Sequence, residues 1–180
     1  RLIIDSLDFK NCSENVIRSA ALCREVSEHC AISDLNWARL SPWRSMMSQF
    51  FDKPECNWAL RYITDLKLEY GRANGGRQNA AQPMLFVGWI ASRLGWDRQQ
   101  TIAIGQPRGA CATRDGSGRA ISIVMSERTV PAHFNGYLLG ATLTASDGTR
   151  QGTFEIARVG DDLTTIKMTA TLDGNVIVEH

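Results

Sequence analysis

The sequence has 180 residues, and its 20 basic and 19 acidic side chains give a net charge of +1 at pH 7. A chain of this length with 43% hydrophobic and 22% charged residues is typical of one globular domain, which excludes a disordered or fibrous protein. The balanced charge, without a run of Lys or Arg, argues against nucleic acid as a partner, and the most apolar stretch, Met84 to Leu94, is too short to cross a membrane.

The start of the chain and its cysteines indicate whether it is part of a longer protein and where in the cell it is located. It starts at Arg1 without an initiator methionine or a signal peptide, so we expect a fragment of a longer protein whose residues 1–180 form a single domain. Its five cysteines are an odd number with irregular spacing, unlike the disulfide framework of a secreted protein. We therefore expect a reducing, cytoplasmic location.

The first elements are a short strand and a helix. Branched apolar residues predict a buried strand from Leu2 to Ser6. Ser13 is a suitable N-cap, and the apolar residues that follow it recur at helical spacing up to Val26. This pattern predicts a helix over about residues 13–30.

A tryptophan-rich helical region follows. Ser33 and Asp34 are candidate caps for a helical piece from Leu35 to Leu40, and Pro42 is expected to separate that piece from the next. The next piece is predicted to be an amphipathic helix that ends at Lys53-Pro54. Its apolar face consists of Trp43, Met46, Met47 and Phe50.

A strand and a second apolar helix complete the first half. Leu66, Leu68 and Tyr70 alternate with charged residues, which predicts a strand with one buried face. After a loop over residues 72–82, Pro83 stands near the start and Gly95 near the end of a helix. Because the segment from Met84 to Leu94 is apolar nearly all round, we predict a buried helix.

The second half favours strands, so the predicted class is α+β, with helices and a few strands first and an antiparallel β meander afterwards. Asp147-Gly148 and Asp173-Gly174 are predicted hairpin turns. The predicted strands cover residues 101–105, 120–125, 137–145, 153–159, 163–172 and 176–179.

The sequence lacks the patterns that catalytic and cofactor sites require. The glycine-rich motifs that bind phosphates, Gly-x-Gly-x-x-Gly and Gly-x-x-x-x-Gly-Lys-Ser/Thr, are both missing. No two cysteines form the Cys-x-x-Cys pair that is typical of a zinc site. Cys111 with His133 is the least unfavourable nucleophile and base, although a free structural cysteine is far commoner. We predict no enzyme activity, no metal site and no cofactor.

Three cysteines, Cys12, Cys23 and Cys30, cluster around the first helix and are candidate redox thiols. A bond between Cys23 and Cys30 requires that helix to end early, because residues this far apart on a helix lie about 10 Å apart along its axis. The alternative is that all three are small apolar residues of the core.

The segment from Asp34 to Asp52 combines Trp, Arg, Met and Phe, the residue types enriched at the centres of protein interfaces. Met47 and Phe50 are expected in the domain's own core. For Trp37, Arg39 and Arg44, core and partner surface both stay open. The candidate partner-binding residues are Trp37, Arg39, Trp43 and Arg44.

Three segments carry a family resemblance. They are residues 2–9 (LIIDSLDF), 34–44 (DLNWARLSPWR) and 88–96 (GWIASRLGW). The sequence resembles the glucose-6-phosphate dehydrogenase assembly protein family, OpcA, over about its first half. The middle segment is the most specific, since two tryptophans, two arginines and Ser-Pro at fixed spacing rarely coincide.

The resemblance implies a carboxy-terminal part of a non-catalytic protein that binds glucose-6-phosphate dehydrogenase and activates it in the oxidative pentose phosphate pathway. The family's association with thiol control in photosynthetic bacteria directs attention to the cysteines. The alternative is a domain or enzyme that binds a sugar phosphate or a nucleotide through Arg72, Arg77 or Arg108 near the glycine loops. A third hypothesis is a scaffold whose function lies wholly in a missing amino-terminal part.

Overall fold

The computed structural model describes residues 2–9, 12–26, 30–97, 109–160 and 163–179, with the backbone alone for 12–17, 26 and 109–112. The α-helices of these residues are α1 (Cys12–Val26), α2 (Leu35–Arg39), α3 (Ser41–Gln49) and α4 (Ala81–Leu94). Short 3-10 helices cover Ser6–Asp8, Phe50–Asp52, Pro54–Arg61 and Ala132–Phe134.

The strands form two sheets. A small parallel sheet pairs β1 (Leu2–Ile4) with β2 (Ile32–Asp34). The strands of the large sheet are β3 (Ile63–Ala73), β4 (Gly109–Arg114), β5 (Ala120–Val130), β6 (Leu138–Ser146), β7 (Gln151–Val159), β8 (Thr165–Leu172) and β9 (Asn175–Glu179). The large sheet therefore joins a strand of the first half to strands of the second.

The large sheet has the order β4-β5-β3-β6-β7-β8-β9. Strand β3 is parallel to β5 and antiparallel to β6, and β6 to β9 form an antiparallel meander. Both predicted hairpin turns are present: Gly148 has φ +93°, and Asp173 and Gly174 both have positive φ, as a type I′ turn requires. The predicted α+β class and the meander are confirmed.

Alternation along the strands gives the sheet one buried face and one polar face. In β3, Leu66 and Leu68 are buried, whereas the alternating residues Asp65, Lys67 and Glu69 are charged. The helices pack on the buried face, where the ring centroids of Phe50 and Phe154 lie 5.6 Å apart. Met47 and Phe50 belong to this core, as predicted.

Several elements differ from the predictions. The first strand is β1 (Leu2–Ile4) and is not buried, since Leu2 and Ile3 are 41% and 60% exposed. Of the helix predicted over about residues 13–30, α1 covers Cys12–Val26, residues 27–29 lie outside the described residues, and Cys30 is not helical. Neither β2 nor β4 was predicted, and Pro54–Arg61 forms a 3-10 helix that was not predicted either. The strand predicted over residues 101–105 lies outside the described residues.

Helix α4 is not buried all round, which corrects the prediction for Met84 to Leu94. Phe86, Val87 and Ile90 are buried against the sheet. The opposite side of the helix carries Gly88 and Ser92, which are both exposed. The prediction was wrong because hydrophobicity alone does not distinguish a core side chain from an apolar side chain on the surface.

Candidate functional site

Trp37 and Arg44 form a stacked pair on the surface of the helical layer. The guanidinium carbon of Arg44 lies 3.5 Å from the centroid of the Trp37 ring, and Nη2 of Arg44 donates a 2.9 Å hydrogen bond to Oγ of Ser41. Trp37 is 41% exposed, which is unusual for so large an apolar side chain. Helices α2 and α3 hold the two residues at this distance from each other.

Arg39, in contrast, forms an ion pair within the domain. It forms two hydrogen bonds with the carboxylate of Asp5, at 2.6 and 2.8 Å, and so ties α2 to the segment after β1. The hydrogen bond from Arg39 holds the pKa of Asp5 below its ordinary value, and the same bond raises the pKa of Arg39. With its guanidinium engaged, Arg39 is a weaker candidate for contact with a partner.

Trp43 lies in the core and is only 2% exposed. The guanidinium of Arg158 lies 5.7 Å from its ring and donates to the carbonyl oxygens of Leu138 and Leu163. A side chain buried to this degree does not reach a partner surface while the domain stays folded. The structure thus places Trp37 and Arg44 together at the surface and separates them from Arg39 and Trp43.

A cleft lies beside Arg44 and has no counterpart in the sequence predictions. We call it the α3–α4 groove. Buried Met47 and Leu143 lie at its floor, half-buried Phe51, Trp89 and Leu94 at its walls, and Ser48 and Arg93 at its rim. Its volume is about 320 Å³. The sequence signal that points to this groove is Arg93, the one charged residue in the otherwise apolar stretch from Met84 to Leu94.

A second Trp–Arg pair lies at another part of the surface. Arg150 lies 4.4 Å from the ring of Trp58, and Arg119 lies 4.8 Å from the ring of Tyr62. Here each arginine is also bound to a carboxylate, since Arg150 pairs with Asp147 and Arg119 with Asp115. Among the described residues, Arg44 has no such acidic partner, and this difference distinguishes the two Trp–Arg pairs.

The candidate redox thiols occupy different environments. Cys23 and Cys30 are partly exposed free thiols, although α1 does end before Cys30. Cys23 lines a second cleft, between α1 and Trp37, whereas only the backbone of Cys12 is described. Cys56 is fully buried, and this burial raises the pKa of its thiol. A role in redox control stays a prediction for Cys12, Cys23 and Cys30.

The arginines of the alternative anion site do not converge among the described residues. Arg72 pairs with Glu127 at 2.9 Å, and Tyr70 donates to the same carboxylate. Arg77 is exposed, and Arg108 lies outside the described residues. At Gly71, a Cβ atom would lie 2.3 Å from the carbonyl oxygen of Phe134, so this glycine serves close packing rather than a phosphate cradle.

Grouped metal ligands and membrane-spanning helices are both absent from the described part of the chain. Within it, no three His, Cys, Asp or Glu side chains are grouped as a metal ion requires. Within the same residues, no helix combines the length and the apolar character needed to cross a membrane. His133 is exposed and packs on Phe134, and the side chain of Cys111 is not described.

Comparison with known proteins gives a family for this chain. Residues 30–169 match the family model described as the C-terminal domain of a glucose-6-phosphate dehydrogenase subunit. This match covers α2 to β7 and includes the Trp37–Arg44 pair and the α3–α4 groove.

Three cyanobacterial proteins are similar over 95 residues, and all carry the provisional name OxPP cycle protein OpcA. The relative from Synechocystis sp. is 37% identical over 53% of this chain and 18% of its own length. Those from Nostoc punctiforme and Synechococcus elongatus are each 35% identical over 53% of this chain, and over 19% and 20% of their lengths. The matched segment thus spans about a fifth of each of these relatives.

Proposed function

The chain belongs to the family of C-terminal domains of the glucose-6-phosphate dehydrogenase subunit, and we propose that it is a non-catalytic partner of glucose-6-phosphate dehydrogenase. In this proposal it binds the dehydrogenase and activates it in the oxidative pentose phosphate pathway. The names of the cyanobacterial relatives, which refer to the OxPP cycle, support the pathway.

The observation that carries a binding role is the exposed Trp37–Arg44 pair. Trp and Arg are the residue types that contribute most to binding energy at protein interfaces. Stacking holds both side chains in place before a partner arrives, which lowers the entropy lost when they become immobilised on binding. Arg44 also keeps its charge available for a carboxylate of the partner, because none of the described acidic residues pairs with it.

The contact surface proposed here is narrower than the four residues expected from the sequence. Trp37 and Arg44 are proposed to touch the enzyme, whereas Arg39 and Trp43 support them from behind through Asp5 and the core. The thiol control at Cys12, Cys23 or Cys30 and the cytoplasmic location are kept as predictions.

The test is the affinity of the chain for glucose-6-phosphate dehydrogenase of the same organism, measured by surface-based binding, together with the enzyme's activity. Trp37→Ala combined with Arg44→Ala is expected to raise the Kd at least tenfold, which corresponds to about 1.4 kcal/mol, and to remove most of the activation.

The matched control is Trp58→Ala combined with Arg150→Ala, which removes the second Trp–Arg pair at the surface. We expect it to leave the Kd within about twofold, as is usual for residues outside an interface. Unchanged binding of the Trp37 and Arg44 variant, with circular dichroism showing a folded chain, would contradict the proposed surface.

The alternative hypothesis, binding of a sugar phosphate or a nucleotide, has weaker support because Arg72 is neutralised by Glu127. Calorimetry of the chain alone with glucose 6-phosphate and nicotinamide nucleotides distinguishes the two. Micromolar binding without the enzyme would favour the alternative.

A further inference from the structure

The α3–α4 groove suits protein side chains better than a small molecule. Its volume of about 320 Å³ lies near the lower limit of roughly 300 Å³ for small-molecule sites. Apart from Ser48 and Arg93, the residues that line it are apolar, so few polar groups are present to orient a small polar ligand. An apolar groove between two helices is a common binding site for the apolar face of a third helix.

The charge around this groove is positive. Arg93 lies at the rim, and Arg44 lies one helical turn before Ser48, the rim residue on α3. The pKa of Arg44 is lowered mainly by burial, and the charge of the nearby Arg93 lowers it further. None of the lining side chains is acidic, so the like charges of Arg44 and Arg93 are not compensated within the groove.

From these observations we infer that the α3–α4 groove binds an acidic amphipathic helix of the partner enzyme. The apolar face of that helix packs against Phe51, Trp89 and Leu94, and its carboxylates pair with Arg44 and Arg93. This inference rests on the proposed function, and it extends the contact from the Trp37–Arg44 pair, of which Arg44 is shared, to the groove beside it.

The experiment closes the groove without removing any core side chain. Ser48→Trp places a large ring at the rim, and we expect the Kd for glucose-6-phosphate dehydrogenase to rise at least tenfold. The matched control is Gln49→Trp, because this exposed residue follows Ser48 but points about 100° away around the helix axis. The control is expected to keep the Kd within about twofold.

A second variant tests the role of the positive charge at the rim of the groove, and its result does not depend on whether the Ser48→Trp variant folds. Arg93→Glu is expected to raise the Kd at least tenfold and to weaken its dependence on salt, because a carboxylate at the rim repels the acidic helix. Arg77→Glu changes the net charge equally at another exposed site and is expected to have little effect.

The outcomes separate this inference from the proposed function. If the unmodified chain does not bind the enzyme, both fail. If it binds and the folded Ser48→Trp and Arg93→Glu variants bind equally well, the proposed function stands and the groove inference is overturned. The inference is also overturned if these variants abolish self-association of the chain, measured by analytical ultracentrifugation, and leave enzyme binding intact.

Discussion

Nε2 of Gln82 donates a 2.9 Å hydrogen bond to Oδ1 of Asn36, and both side chains are buried. Asn36 in turn donates to Oγ of Ser6, and Oε1 of Gln82 accepts a 2.8 Å hydrogen bond from the backbone N–H of Leu138. This network joins the segment after β1, α2, α4 and β6. It fixes the position of α2, which carries Trp37 at the surface.

We predict that Gln82→Leu lowers the free energy of unfolding by about 2 kcal/mol, because it leaves the N–H of Leu138 buried without a partner and removes one of the two donors to Oδ1 of Asn36, the other being Arg39. Urea unfolding followed by circular dichroism measures the change. Gln49→Leu, at an exposed position, is expected to change stability by less than about 0.5 kcal/mol. A loss of similar size for both variants would show that the network is not a specific source of stability.

The ion pair of Asp5 and Arg39 predicts a dependence of stability on pH. The hydrogen bond from Arg39 lowers the pKa of Asp5 below its ordinary value of 3.8. The folded state therefore holds the charged carboxylate more strongly than the unfolded state does. The resulting stabilisation is complete above the ordinary pKa and is lost as the pH falls through the lowered pKa of the folded state.

The measurement compares Asp5→Asn with the unmodified chain by urea unfolding between about pH 7 and pH 2. The partly exposed pair is expected to contribute about 1 kcal/mol at pH 7, and the difference between the two proteins is expected to shrink towards acidic pH. A difference that stays constant over this range would mean that the charge of Asp5 does not contribute.

The same substitution is expected to act differently at two glycines. Gly71→Ala brings a Cβ atom to 2.3 Å from the carbonyl oxygen of Phe134 and 2.7 Å from Cγ2 of Val130, so the backbone has to move. We expect a loss of about 1–3 kcal/mol in the free energy of unfolding. Gly116→Ala, where the added atom meets nothing within 4 Å, serves as the control and is expected to be nearly neutral.

Gly88→Ala is expected to stabilise the chain by about 0.5–1 kcal/mol, because alanine favours the helix and open space surrounds the added methyl group. Thermal unfolding measures the change. Because Gly88 does not line the α3–α4 groove, the Kd for glucose-6-phosphate dehydrogenase is expected to stay within about twofold. A loss of stability would show that a close contact at Gly88 opposes the gain in helix propensity.

The cysteines are expected to differ in reactivity towards an aromatic disulfide reagent. In a Cys12→Ser and Cys111→Ser background, the partly exposed Cys23 and Cys30 are expected to react in the native chain. Cys56 is expected to react only after denaturation, because it is 0% exposed and burial raises the pKa of its thiol. The absorbance of the aromatic thiol released from the reagent, measured under native and under denaturing conditions, gives the number of cysteines that react. Release of three equivalents from the native chain would contradict the burial of Cys56.

Local patterns in the sequence predicted most of the individual elements. The spacing of Trp43, Met47 and Phe50 predicted both α3 and the face that it buries, because residues three and four apart lie on one side of a helix. Alternation around Leu66 and Leu68 predicted β3, and the Asp-Gly pairs predicted the hairpin turns at Gly148 and Gly174. These features depend on neighbours within a few residues along the chain.

The arrangement of those elements was decided by contacts between distant segments. The parallel pairing of β3 with β5 joins residues more than fifty positions apart, and no local pattern specifies such a partner. The four candidate residues illustrate the same limit. Trp37 and Trp43 are one residue type in one short segment, yet one is 41% exposed and the other 2%. Only the packing of α2 and α3 on the sheet distinguishes surface from core.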